Sequence, residues 1–459
     1  MPSRSTIDPS DFAGLRRMIA GELITPADSA YDSERRVWNA MVDRFPALIV
    51  QCRDTGDIAA GIGFAREHDL PLTVRGGGHG VAGRAVADGA LMIDLSRMNG
   101  IAIDPIRRTA TVQGGVRWAE LDTAGHRTGL ATTVGVVATT GVIGLAMGGG
   151  LGYLMRPFGL SCDNILAAEV VTADGELLSV DAEQHPDLLW ALRGGGGNFG
   201  VVASMTFQMH PLRQVVGGSL AFSLEDFPRI ARIYREIAAA APDDLTLYLN
   251  AGLSLGGRPV ANLDVCYAGQ LDRADRVLAS LREFGAPYAG SLTTKPYLDV
   301  QLQLAEAFPR GMLHYWKSSF LDGIPDGLID VIHERTQRIV STDRKRVYLA
   351  IEQLGGAVAR VAPDATAFSE RTAAYSVVIV GDWTDPADNA ECIGWVRDSW
   401  EAIQPFSRPS AYVNYLDTGD EQRTPAIYGA NLPRLAAIKA TYDPTNLFCH
   451  NQNIAPIAS

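Results

Sequence analysis

Two features of the sequence predict an α+β fold in two parts. Glycine occurs in tight clusters between positions 75 and 200, among short strand-like runs, and the clusters stop at His210-Pro211. Beyond that dipeptide strand-like and helix-like runs alternate, the pattern of an antiparallel sheet backed by helices on one face. At 459 residues the chain exceeds one ordinary core, which agrees with two or three folding units.

Residues 32–45 have helical spacing, with Trp38, Met41 and Val42 on one side. ALIVQC (47–52) is an apolar run of strand length, Thr55-Gly56-Asp57 opens a helix through about Asp69, and LPLTV (70–74) is a second strand. So compact a strand–helix–strand unit implies parallel strands. RGGGHGVAGRAVADG (75–89) has no helical periodicity. LMIDLSRM (91–98) and ATVQGGV (110–116) read as strands and 118–130 as a helix. Residues 165–180 read as a hairpin turning at Asp174-Gly175, and 187–209 as a short helix, a glycine loop and a strand.

The second part offers strands in GGSLAFSL, LTLYLNAGL, PVANLDVCYAG, RVYLAIEQLGG and AYSVVIVGDW. Helices are expected in FPRIARIYREIAAA, DRADRVLASLREFG, GLIDVIHERTQRIV and AECIGWVRDSWEAI. From about 410 the chain reads as a Tyr/Asn-rich strand, a helix (NLPRLAAIKATYD) and the tail HNQNIAP.

A formal net charge of -12 argues against nucleic acid or an anionic membrane surface as partner. The five cysteines are odd in number, widely spaced and form no CxxC pair, so a disulfide framework or zinc site is not expected and no metal is assigned. The N-terminal residues lack an apolar signal core, and no stretch has the length of a membrane span. The expectation is a cytoplasmic enzyme with a small-molecule substrate.

The loop TVRGGGHG follows a strand. Consecutive glycines let backbone N–H groups converge on a diphosphate. A dinucleotide fingerprint needs G-x-G-x-x-G opening a helix, and VAGRAVADG has no apolar stripe to make one. An extended anion nest fits better, with a plain glycine turn as the alternative. His79 lies inside this loop, where its nucleophilic imidazole comes close to whatever the loop holds.

TVRGGGHG, GLAMGGGLGYLMRPFGLSCDNI (144–165), LLWALRGGGGNFGVV (188–202), YVNYLD (412–417) and YDPTNLFCHNQNI (442–454) follow one another over nearly the whole chain. Together they resemble the berberine-bridge-enzyme-like branch of the vanillyl-alcohol-oxidase flavoproteins, whose FAD-binding domain is of the PCMH type. The resemblance implies an FAD-binding domain built from residues 1–212 and 410–459 around a substrate domain, 213–409. It implies FAD bonded through its 8α-methyl carbon to His79. The implied cofactor contacts are Val74, Arg75, Gly76, Gly77, Gly78, Gly80, Thr139, Thr140, Gly144, Gly148, Gly149, Asn164, Gly200, Val202, Asn451 and Asn453. Many relatives add a cysteinyl bond upstream of the GGG run; that position falls near Val137, so a single linkage is expected, with Cys162 on the wrong side of the run. Thr140 falls where relatives control oxygen access to the flavin.

Flavin oxidation of a substrate needs a group that takes the partner proton. Glu352 is the one carboxylate in the apolar strand 346–356, and burial there raises a carboxyl pKa. YVNYLD supplies Tyr412, favoured for the pocket, and Tyr415 as the second choice. Tyr153, Tyr248, His314 and Trp316 are further pocket residues, for which core packing is the better expectation; Tyr248 and Asn250 share a strand face. The expected activity is oxidation of an alcohol, amine or activated C–H by dioxygen. Two alternatives stand beside it: a flavin-N5-oxide-type oxygenase acting on a polyketide-like ketone, with Thr140 over the flavin, and a non-catalytic flavin-binding protein.

Overall fold

A computed structural model describes residues 9–253, 258–338 and 345–457. The first described element is a helix, Pro9–Met18, not anticipated from the sequence. The helix expected over 32–45 shrinks to one turn, Tyr31–Glu34. Long-range bonds pull the next residues off the helical path. Trp38 N donates to Gly78 O (2.9 Å), Ala40 N to Met312 O (2.9 Å), and the Asn39 amide bridges the carbonyls of Val81 and His314.

Strands Leu48–Gln51 and Leu72–Arg75 are parallel, as expected, but not neighbours, because Leu91–Asp94 lies between them and pairs in parallel with both. The helix Thr55–Glu67 joins the first two, its N-terminus capped by the Asp54 side chain accepting from Asp57 N. A five-stranded antiparallel sheet follows, in the order Ile101–Asp104, Thr109–Gln113, Val201–Gln208, Ile165–Val171, Leu177–Val180. It contains the expected 165–180 hairpin and one unanticipated edge strand, Ile101–Asp104.

The second part is a seven-stranded, fully antiparallel sheet. Its order is Ala289–Pro296, Gln214–Ser223, Pro259–Tyr267, Leu245–Leu253, Lys345–Gln353, Tyr375–Trp383, Leu313–Leu321. Helices Phe227–Ala240, Asp326–Gln337 and Asn389–Ile403 cover one face, where Leu247, Leu249, Ile351, Val377 and Ile379 pack with Ile230, Ile329, Ile332 and Val396. Residues 339–340 of the expected third helix lie outside the described residues. The stretch 272–285 is not one helix: a single α turn, Ala274–Val277, is flanked by 3-10 segments.

Residues 410–417 are not a strand. Val413–Tyr415 forms one 3-10 turn, because the flanking side chains bond to the glycine run and not to a sheet edge. The Tyr412 hydroxyl accepts from Gly150 N (2.7 Å) and Leu151 N (3.3 Å), and the Asn414 amide donates to Leu145 O (2.9 Å). The helix Leu432–Tyr442 carries Lys439, whose buried ammonium donates to Asn198 O, Asp443 Oδ2 and Phe448 O. That cluster ties the C-terminal segment to the third glycine loop.

Candidate functional site

A cavity of about 400 Å³ lies between the glycine-rich part and the uncovered face of the seven-stranded sheet. Glycine backbone forms much of one wall, from residues 76–80, 141–148 and 196–200. Two of these loops touch backbone to backbone. A Cβ on Gly77 would lie 2.6 Å from Gly141 Cα, so only glycine permits the approach. None of the N–H groups of residues 76–80 donates to a backbone carbonyl among the described residues. The side-chain oxygens of Asn451 and Gln452, also on the wall, have no hydrogen-bond partner. A Cβ-free cradle with unspent donors, near unpaired amide acceptors, suits the diphosphate and the ring edge of a flavin dinucleotide.

His79 stands at the rim of this cradle. Its Nε2 lies 3.2 Å from Thr139 Oγ1. Its ring stacks on Trp38 (centroids 4.0 Å apart), which stacks on His314 (3.6 Å). His314 Nδ1 lies 2.6 Å from the buried Asp382 carboxylate, which also pairs with Arg346. Although the ring borders the cavity and keeps some accessible surface, protein atoms enclose it. Burial, helped by the neighbouring His314, lowers its pKa to about 3, so the imidazole stays neutral with a free lone pair.

The opposite wall follows from strand register. Directly paired residues of antiparallel strands share a face. One such row runs Ser219, Asp264, Tyr248, Glu352, Ser376. A second row on the same face carries Asn250, Ala350 and Val378, and a third Trp316, Val380 and Tyr348. Glu352 is buried, and burial raises its pKa to about 7 against the partial pull of the Ser376 and Tyr415 hydroxyls. Tyr415 donates to Glu352 Oε1 (2.9 Å), while Oε2 has no partner within hydrogen-bond geometry.

Val74, Gly76, Gly77, Gly78, His79, Gly80, Thr140, Gly144, Gly148, Gly200, Val202, Asn451, Glu352, Tyr412 and Tyr415 all border the cavity. Thr139 stands behind the wall, reaching it through His79; Gly149 and Asn453 do not border it. Two expected cofactor contacts are corrected. The Arg75 guanidinium points into the protein, paired with Asp94 (2.7 Å) and Glu34 (3.2 Å). The Asn164 amide is spent on Phe158 O, Leu160 O and His210 Nε2. Between the two tyrosines, Tyr412 is held by the glycine run and by the Asn414 amide, whereas Tyr415 faces the carboxyl.

Cys162 is fully buried away from the cavity, its thiol held far above the usual range by burial. Tyr153, Tyr248 and Trp316, expected as core packing, border the cavity; His314 lies behind Trp38. Sequence reasoning missed Trp38, Asp264 and Asp382. A polar residue inside an apolar strand was the available signal for the two aspartates; nothing local marks Trp38.

This fold and site define an FAD-dependent oxidoreductase. The family model for the FAD binding domain matches residues 46–181, and that for berberine and berberine-like proteins matches 411–455. The chain belongs to the berberine-bridge-enzyme-like branch of the PCMH-type flavoproteins, with an α+β fold. It is 30% identical to an uncharacterised FAD-linked oxidoreductase of Bacillus subtilis, over 96% of this chain and 98% of that one. It is likewise 30% identical to (R)-6-hydroxynicotine oxidase of Paenarthrobacter nicotinovorans, over 96% and 98%. The crystal structure of 6-hydroxy-D-nicotine oxidase from Arthrobacter nicotinovorans superposes with a TM-score of 0.87 at 30% identity, over 95% of this chain and 98% of that chain. Physcomitrella patens BBE-like 1, at 22% identity and a TM-score of 0.87 over 98% and 99%, shares the fold. No helix among the described residues is long and apolar enough to cross a membrane.

Proposed function

We propose that the chain is an oxidase that holds FAD by a single covalent bond from His79, oxidises a small organic molecule and passes the electrons to dioxygen. The reading assigns residues 1–212 and 410–459 to cofactor binding and 213–409 to the substrate. The observation that carries it is that His79 in its glycine loop and the Glu352–Tyr415 pair border the same cavity. Bound FAD supplies the two-electron acceptor.

The rest is the work of the chain. The neutral His79 imidazole, steadied by Thr139 and Trp38, would be the residue that holds the cofactor covalently, through a ring nitrogen. The glycine-loop N–H groups would receive the diphosphate, and the Asn451 and Gln452 oxygens would accept from N–H groups at the polar ring edge. Glu352, with a pKa near neutrality, takes the proton leaving the substrate's O–H, N–H or C–H. Tyr415 orients that carboxyl. Tyr412 locks the GGG turn. The described residues that border the cavity include Val137 and no cysteine, which supports a single linkage.

The test is acid denaturation of wild type, His79→Ala and Cys162→Ala, followed by mass and absorbance of the chain. Flavin that stays with wild type and Cys162→Ala but leaves His79→Ala is the expected result. Flavin that leaves wild type ends the covalent reading. Oxygen uptake with a reducing substrate tests the acceptor.

One observation favours a second reading. Thr140 borders the cavity, and its hydroxyl makes no hydrogen bond among the described residues, so it is open to oxygen held there. In that reading the protein is an oxygenase, and Thr140→Val keeps covalent FAD but loses oxygen insertion. Unchanged insertion removes it.

A further inference from the structure

Asp264 is a buried carboxylate on the cavity wall that proton transfer at Glu352 does not use. Three side chains donate to it: Ser219 Oγ (2.7 Å) and Asn262 Nδ2 (2.9 Å) to Oδ1, and Asn250 Nδ2 (2.9 Å) to Oδ2. All three are neutral, and among the described residues no basic side chain pairs with Asp264 or Glu352, so burial holds both carboxyls above the usual carboxylate range. The basic side chains bordering the cavity, His79, Arg84 and His450, sit on the glycine-loop and C-terminal segments, not on the sheet. A buried carboxylate without a counter-charge is costly, and a ligand can remove the cost.

Two further observations point to a ligand. The Tyr248 hydroxyl, directly between Asp264 and Glu352 in register, is buried, borders the cavity and has no hydrogen-bond partner. Aromatic rings surround the same space. Tyr153 and Tyr348 border the cavity, and the phenols of both lie close enough to feel the charge of Asp264 and of Glu352. Trp316 closes the side beyond Tyr348. Carboxylates without cations inside an aromatic enclosure form a site for an organic cation.

We propose that Asp264, with Asn250 and Tyr248, is a binding subsite for the protonated nitrogen of an amine substrate whose oxidised bond lies at Glu352 and Tyr415. The inference rests on the oxidase reading and names its substrate class. The register sets the scale: Asp264 and Glu352 are two strands apart, about 10 Å between backbones. The cationic nitrogen therefore sits roughly one ring's length from the reacting bond, its N–H groups donating to the Asp264 carboxylate and the Tyr248 oxygen.

The test uses a pair of probes of one shape and different charge, tyramine (a cation at pH 7.5) and tyrosol (its neutral alcohol). Each is titrated calorimetrically into the flavin-loaded protein without oxygen. Tyramine should bind about tenfold or more tightly than tyrosol, and Asp264→Asn should erase that preference while leaving tyrosol affinity nearly unchanged. Glu352→Gln, which removes the second carboxyl of the enclosure, should lower the preference without erasing it. Equal affinities in wild type, no tyramine binding at millimolar concentration, or a preference that survives Asp264→Asn but vanishes in Glu352→Gln overturns the subsite. Protein that carries no flavin, or flavin that no compound reduces, defeats the oxidase reading instead; that result is seen by absorbance before any titration.

Discussion

Glu352→Gln tests the electrostatics of the site without a known substrate. The folded carboxyl has a pKa of about 7, against an ordinary value of 4.5, because it is buried. The folded state therefore binds a proton that the unfolded state has released. The resulting stabilisation is fully present below pH about 4.5 and is lost as pH rises through about 7. Between pH 5 and pH 8 the loss integrates to about 2.5 kcal/mol. Glutamine cannot titrate, so the variant lacks this slope. For a chain of 459 residues, an unfolding entropy of about 1 kcal/mol/K makes that difference worth roughly 2–3 °C in Tm. The assay is scanning calorimetry of both flavin-loaded proteins at pH 5 and pH 8. The packing effect of the amide is common to both pH values and cancels. Tm(wild type) minus Tm(variant) should be larger at pH 5 by that amount. A difference that does not change with pH, or that grows toward pH 8, refutes the assignment of a raised pKa to Glu352.

Tyr415→Phe removes the hydroxyl that donates to Glu352 Oε1, which pushes the carboxyl pKa higher still; the acid limb of kcat/KM should move up by about one pH unit, and an unmoved limb refutes Glu352 as the base. Gly77→Ala drives a methyl into Gly141, so the purified protein should carry little or no flavin while its far-ultraviolet circular dichroism stays that of wild type; full flavin content refutes the backbone cradle. Lys439→Met leaves the Asp443 carboxylate buried without its cation and should destabilise the protein by about 3–5 kcal/mol in urea unfolding, with a loss under 1 kcal/mol counting against the tie between the C-terminal segment and the third glycine loop.

Much of the fold was legible because its elements obey local rules. The hairpin at Asp174-Gly175, the helix after Asp54 and five of the seven strands of the second part came out as read. Two of the misses share a physical origin in non-local hydrogen bonds. Residues 35–45 have helical spacing, yet Trp38, Ala40 and Asn39 bond to partners about 40 and 270 residues away. The 410–417 segment alternates like a strand, yet Tyr412 and Asn414 are held by residues 145–151. Two strands of the second part were not read: Ala289–Pro296 is a largely exposed edge with Ser, Thr and Lys where an inner strand has apolar residues, and Leu313–Leu321 breaks its apolar run with His314, Lys317, Ser318 and Ser319.

The site was legible only in part, and strand burial explains which part. Each inner strand of the seven-stranded sheet is buried on both faces, by helices on one side and by the cavity wall and glycine-rich core on the other. Alternation therefore cannot say which residues look into the cavity. The informative signal is the polar residue that a strand buried on both faces has no packing reason to contain. Glu352 stands out in this way because Ile351 and Leu354 flank it in an otherwise apolar run. Asp264 carries the same signal in NLDVCY, but it is recognisable only once register sets it in one row with Tyr248 and Glu352. A slip of one residue in either pairing would turn Leu263 or Ile351 toward the cavity and Asp264 or Glu352 into the helix-packed core. The same apolar face that packs the three helices thus holds both carboxyls in line. Loss of packing at Leu249 or Ile379, on the helix-packed face, would reach the site by loosening that register.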